Sequence, residues 1–179
     1  MRIAPIDPAT AVGPVKVLLD GVGKRLGYLP MLMRVLAHSP AALAGYLGLS
    51  GALAKGALPV QLRERIAIAV AETNRCGCCL AAHMAYGRAA GLPDGELDAA
   101  RDAASAQPAA AAALRFARAL LASGGHVAEG ELVNMRDAGF DDAAMVEIAA
   151  IVAVNAFSNI VNNLAGAIPD AVAPLREGA

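Results

Sequence analysis

The sequence predicts an all-α protein, and three observations carry that prediction. Hydrophobic residues fill 57% of the 179 positions, aromatics only 3%, and Trp is absent. A core made this way rests on Ala, Leu, Val and Ile, which suits helices packed closely through small side chains. Helix start and stop signals recur along the whole chain. No stretch alternates apolar and polar residues convincingly, and no Asn-Gly turn joins two β-branched runs. The length allows one domain with a substantial core.

The elements follow in order. "SPAALAGYLGLSGALAKG" offers Ser39 as N-cap, Pro40 at the first helical position and Gly56 as a stop. "LPVQLRERIAIAVAETN" sets Leu62, Ile66, Ala69 and Val70 on one stripe. "CLAAHMAYGRAAGLP" ends on Gly91 and Pro93, a C-terminal signal. "QPAAAAALRFARALLASGG" starts at Pro108, carries Leu114, Ala117, Leu120 and Leu121 at helical spacing, and stops at Gly124-Gly125. "DDAAMVEIAAIVAVNAF" opens on two Asp residues suited to the positive end of a helix dipole. Eight to ten helices are expected.

One part of the chain echoes another. Offset by 83 residues, "GALPVQLRERIAIAVAETNRCGCCLAA" aligns with "GFDDAAMVEIAAIVAVNAFSNIVNNLAG". Gly56 falls on Gly139, Leu62 on Met145, Glu64 on Glu147 and Ile68 on Ile151, while Cys76 and Cys79 fall on Asn159 and Asn162. The expected organisation is a single domain with an N-terminal helical segment (1–55), a cysteine-bearing helical hairpin (56–91) and a degenerate second hairpin (139–167).

Charge excludes some partners. The net charge is −1, with 15 basic and 16 acidic residues scattered along the chain. No basic face of the kind that binds nucleic acid is present. "MRIAPIDPAT" lacks the apolar core of a signal peptide. The longest apolar stretch, "AAMVEIAAIVAVNAF", is interrupted by Glu147 and Asn155 and reads as too short to cross a membrane, which takes about 18 residues. A cytoplasmic protein with no membrane partner is the expectation. The apolar surplus, and "MVEIAAIVAV" in particular, points to a homo-oligomer.

In a reducing compartment, clustered cysteines mean metal or redox chemistry more often than a structural disulfide. "ETNRCGCCLAAH" holds all three cysteines of the chain, Cys76, Cys78 and Cys79, with His83 just downstream. With a helix beginning near Asn74, capped by Asn74 or Thr73, Cys76 and Cys79 share a face at i and i+3 and can form a disulfide. Cys78 points about 100° away from Cys79. His83 lies one turn past Cys79, where an imidazole can take a thiol proton or return it to a leaving group. Three readings compete: small core residues, a zinc site, and a redox dithiol. A zinc site on Cys76, Cys79 and His83 lacks the second ligand pair usual in structural sites, so the dithiol is preferred, with no metal or cofactor. Two arguments divide the thiols. The helix dipole favours Cys76 as the thiolate, whereas His83 favours Cys79 for cleaving a bond whose departing oxygen needs a proton. Cys76, at the expected exposed helix start, then resolves the oxidised thiol and receives the reductant.

Glu64 lies twelve residues before Cys76. On one unbroken helix it sits off the cysteine face, and a break at "ETNR" would fold the two helices together and bring the carboxylate to the thiols. The other reading is a solvated Glu paired with a neighbouring Arg.

The set Glu64, Cys76, Cys79 and His83, within "LPVQLRERIAIAVAETNRCGCCLAAH", resembles the signature of the AhpD-like alkylhydroperoxidase branch of the carboxymuconolactone decarboxylase superfamily. "RLGYLPMLMRVLAHSPAALAGYL" is similar to the preceding segment of its peroxidase-related members. The resemblance implies an all-helical fold, homo-oligomers and reduction of hydroperoxides by a cysteine pair. It further implies that Cys79 attacks the peroxide, Cys76 resolves, and Glu64 and His83 relay a proton. The reductant would be a lipoyl group or a thioredoxin-like protein. Where well-studied members carry His between the cysteines, and many peroxidase-related members Tyr, this chain carries Cys78. Two other functions stand beside this one: a decarboxylase acting on a lactone acid, against which the dithiol argues, and a redox-sensing oligomer without turnover.

The remaining polar candidates read as structural. His38 precedes a helix cap, His126 follows a Gly-Gly turn, and Tyr86 either lines the His83 pocket or packs. "GVGKRLG" has the wrong spacing for a dinucleotide loop.

Overall fold

The computed structural model describes residues 1–169. Among them are nine helices and no strand: α1 (Gly13–Leu26), α2 (Met31–Leu36), α3 (Pro40–Leu53), α4 (Val60–Thr73), α5 (Gly77–Ala89), α6 (Asp94–Arg101), α7 (Pro108–Ser123), α8 (Glu129–Asp137) and α9 (Asp142–Ala165). The ends obey the local chemistry. Ser39 Oγ accepts from the Ala42 N–H at 3.2 Å and Asp141 Oδ1 from the Ala144 N–H at 2.8 Å, each satisfying a donor the helix leaves unpaired. Gly124 closes α7 in the left-handed region at φ 61°.

Helix α4 is the centre of the fold, packing against α5, α6, α7 and α9. The expected stripe of Leu62, Ile66, Ala69 and Val70 is buried, and burial extends through every residue from Ile66 to Ala71. Each large aliphatic side chain removed from water this way contributes about 1.5–3 kcal/mol. Even Arg65 is buried, because its guanidinium meets Glu96 Oε2 at 2.8 Å. A second cluster gathers Leu19, Val22, Met33, Leu36 and Leu43 from the N-terminal helices.

Two features differ from the sequence reading. The segment matched to the cysteine hairpin is one unbroken helix, α9, of 24 residues. Helix α9 is also long and apolar enough to cross a membrane by length and composition, with mean hydropathy 1.8. Two isolated polar residues do not offset so many Ala, Ile and Val. The helix is nevertheless placed as a core element, against α2, α3, α4, α5 and α7. Its interruptions are used: Glu147 accepts the Ala57 and Leu58 N–H groups at 3.0 Å each, and Asn155 Nδ2 donates to the Ile151 carbonyl.

Candidate active site

The site begins at the bend between α4 and α5. Arg75 sits in the left-handed region at φ 52°, the position glycine usually takes after a helix. Its N–H donates to the Glu72 carbonyl at 3.0 Å, and the Cys76 N–H reaches the Ala71 carbonyl at 2.9 Å. Those two bonds complete a Schellman closure of α4 and release the chain directly into α5. Cys76 is the N-cap of α5, two residues later than the expected helix start. Neither expected cap acts there. Thr73 Oγ1 turns back to the Ala69 carbonyl, and Asn74 Nδ2 donates to Asn159 Oδ1 on α9 at 3.0 Å.

Cys76 and Cys79 are joined as a disulfide, with Cα atoms 5.3 Å apart. Cys78 is half-buried and outside that bond, although all three sulfurs lie within 4.8 Å of one another. The expectation that Cys76 is the more exposed thiol is corrected: it is 1% exposed and Cys79 5%. The tight bend presses the N-terminus of α5 onto α4, so being first in the helix does not mean facing water.

The same bend brings Glu64 to His83. Glu64 Oε2 lies 2.8 Å from His83 Nδ1, with both side chains mostly buried. The neighbouring arginines are otherwise engaged, Arg63 with the carbonyls of Leu53, Ala54 and Leu58 and Arg65 with Glu96. A carboxylate on Nδ1 fixes the ring so that Nε2 is the nitrogen left for chemistry. Gly87 permits the approach of the helices: a Cβ there would lie 2.5 Å from Leu97 Cδ2 and 3.8 Å from the Glu64 Cβ.

A cavity of about 160 Å³ opens beside these groups. Cys78, Cys79, Ala82, His83 and Tyr86 of α5 form one wall, and Ser158 and Asn162 of α9 another. The N-terminal segment supplies an apolar wall from Leu26, Met31, Leu32 and Met33, with Tyr28 and Tyr46. Tyr86 stacks edge-on to His83 at 5.8 Å and shares a hydrogen bond with Tyr28, the two hydroxyls 3.1 Å apart. Burial, then the Tyr28 contact, hold the Tyr86 hydroxyl protonated well above its ordinary range. Burial, with the Glu64 charge behind it, also raises Tyr46.

The sequence reading did not single out Asn162 as a site residue. Its Nδ2 donates to Cys79 Sγ at 3.2 Å. The signal was the 83-residue echo, which set Asn159 and Asn162 over Cys76 and Cys79 but did not say that the two segments touch. Outside the site, His38 Nε2 lies 2.8 Å from the Ala4 carbonyl and His126 is exposed in its loop.

Fold and site together define, over the described residues, an all-helical protein with a buried Cys76–Cys79 disulfide beside a carboxylate–imidazole pair. Residues 40–123 match the model of the carboxymuconolactone decarboxylase family. Over those residues the chain is similar to that family, and its fold is that of AhpD-like proteins. A peroxidase-related protein from Ralstonia eutropha JMP134, described as an alkylhydroperoxidase AhpD core, is 25% identical with a TM-score of 0.83, covering 95% of this chain and 92% of its own. A peroxidase-related protein from Silicibacter sp. TM1040 is 21% identical with a TM-score of 0.79, covering 96% and 94%. A cysteine-to-alanine variant of the debrominase Bmp8 in complex with 2,3,4-tribromopyrrole is 21% identical with a TM-score of 0.76, covering 96% and 92%, and shares the fold. No curated protein matches the sequence significantly.

Proposed function

We propose that the protein reduces hydroperoxides, using Cys79 as the attacking thiol and Cys76 as the resolving one. The observation that carries this reading is the Cys76–Cys79 disulfide placed one helical turn from a His83 held by Glu64, with Cys79 and His83 on one cavity. In the reduced protein His83 Nε2 takes the Cys79 proton. The thiolate attacks the hydroxyl oxygen of the peroxide, an S–O bond forms and the O–O bond breaks. The departing alkoxide receives the proton back from His83, leaving an alcohol and a sulfenic acid. Cys76, at the N-terminus of α5 where the dipole favours a thiolate, attacks the Cys79 sulfur, forming the disulfide and releasing water. A dithiol, either a lipoyl group or a thioredoxin-like protein, restores both thiols and leaves oxidised. This cycle suits a reducing, cytoplasmic setting.

The test is hydroperoxide consumption with several dithiol reductants. The native protein should turn over, Cys79→Ser should not, and Cys76→Ser should stop at a sulfenic acid on Cys79 that a dimedone-type probe traps. A single stoichiometric oxidation without turnover would instead favour a redox-sensing role, and first labelling of Cys78 would remove the site assignment.

We further propose that the chain works as a homo-oligomer. Val146, Phe157, Ile160 and Leu164 of α9 are 70%, 36%, 62% and 57% exposed, an apolar surface on the longest helix of the fold.

A further inference from the structure

Asn162 combines three properties. It is 6% exposed, it lines the cavity, and its Nδ2 lies 3.2 Å from Cys79 Sγ. Its other end is unusual. Asn162 Oδ1 is buried and has no hydrogen-bond partner among the described residues. A buried amide oxygen left unpaired costs about 1–3 kcal/mol, so such an atom calls for a reason. The other unpartnered buried side-chain atom among the described residues, Asn159 Nδ2, is not paired with it. Asn159, one turn earlier, is tied to Asn74, and Asn163 donates to the Asn74 carbonyl, so the joint between α9 and the bend is made without Asn162.

We propose that Asn162 is a catalytic residue, donating through Nδ2 to the Cys79 thiolate and accepting through Oδ1 the O–H of the hydroperoxide. The second half rests on the function proposed above; the first rests on geometry alone. An N–H aimed at sulfur favours the charged form of the thiol over the neutral one. The free oxygen sits on the same amide, so a peroxide bound to it presents its hydroxyl oxygen, the one that sulfur attacks, beside Sγ. When the S–O bond forms, that hydroxyl becomes the S–OH of the sulfenic acid and keeps its bond to Oδ1. The RO⁻ fragment leaves on the other side and takes its proton from His83. One amide thus holds nucleophile, substrate and oxidised product without itself gaining or losing a proton.

The test uses the full chain with Cys76→Ser, so that Cys79 is isolated from its partner. Two properties are read separately: the pH dependence of Cys79 alkylation by iodoacetamide, located by mass spectrometry, and the rate of sulfenic acid formation with tert-butyl hydroperoxide. Asn162→Leu keeps the branched shape, with somewhat more bulk, and removes both contacts; Asn162→Asp keeps an acceptor and replaces the donor by a charge. Both should move the alkylation midpoint up by about one pH unit, and Asn162→Leu should slow sulfenic acid formation about tenfold or more. Asn155→Ala, on the same helix and bonded only within it, should change neither. An unmoved midpoint in both Asn162 variants overturns the proposal. A moved midpoint in a protein whose Cys79 ignores hydroperoxides upholds Asn162 as the thiolate's partner and overturns the peroxidase reading instead. Should the variants fold poorly, the Asn162 side-chain amide resonance of the unsubstituted protein decides. It should shift on reduction of the disulfide and follow the Cys79 titration; a resonance indifferent to both overturns the proposal.

Discussion

Glu147→Ala is expected to loosen the start of the central helix by an amount that can be worked out. The Glu147 carboxylate reaches from α9 to the loop before α4, accepting the Ala57 N–H on Oε2 and the Leu58 N–H on Oε1, each at 3.0 Å. A hydrogen bond to a charged acceptor contributes about 1.5–3 kcal/mol, and the exposed Ala57 bond counts at the low end because water competes for it. Removing both should cost about 3–4.5 kcal/mol. For a chain of this length each kcal/mol lowers Tm by about 2–4 °C, so a fall of about 6–18 °C is expected. Glu147→Gln keeps one oxygen and should lose about half as much. Gly56→Ala offers an independent approach, because a Cβ there would run into the same carboxylate, 2.7 Å from its Cδ. The Gly56 backbone is not in the left-handed region, so that variant tests the clash rather than strain. Urea unfolding followed by circular dichroism measures all three. A loss under about 0.5 kcal/mol for Glu147→Ala, or equal losses for the Ala and Gln variants, would refute the reasoning.

Three further expectations concern other parts of the molecule. Glu64→Ala frees the His83 ring and should lower peroxide turnover by about 10²–10⁴, with little change in melting temperature; turnover within threefold of native would remove Glu64 from the relay. Glu96 is held below its ordinary range by the Ser105 hydroxyl, the Ala106 N–H and Arg65. Its stabilisation is therefore complete above the unfolded value near 4.5 and lost as pH falls through the lower folded value, so the acid loss of stability between pH 5 and pH 3 should be shallower in Glu96→Gln, as checked by urea midpoints. Ile160→Glu with Leu164→Glu on the exposed face of α9 should lower the mass in solution measured by light scattering; an unchanged mass places the subunit contact elsewhere.

Much of the fold was legible because its signals are local. Ser39 and Asp141 cap because a short polar side chain meets the N–H groups one turn ahead, and Pro108 and Gly124 bracket α7 through their own backbone preferences. The break at "ETNR" was legible as one of two readings, which would have taken Glu64 to the thiols; its pairing with His83 was implied only by the family resemblance. The form of the break was not legible: an arginine at φ 52° carries no sequence signature, so the start of α5 was set two residues early and the burial of Cys76 was missed. The role of Asn162 was hidden for a different reason. Its contact with Cys79 spans 83 residues and depends on how α9 crosses α5, which periodicity within either helix cannot report.

The unequal burial of the two sulfurs has a kinetic consequence. Cys79 faces the cavity and Cys76 does not, so the disulfide presents only one of its ends to an arriving molecule. In the proposed cycle an incoming thiolate would attack Cys79, rather than Cys76 as the sequence led one to expect, and would expel Cys76, whose place at the mouth of a helix dipole makes it the better leaving group. Oxidant and reductant would then use the same doorway and the same sulfur in alternation. Turnover of this kind would follow ping-pong kinetics, and a reductant lodged in the doorway would exclude the next peroxide until it departs.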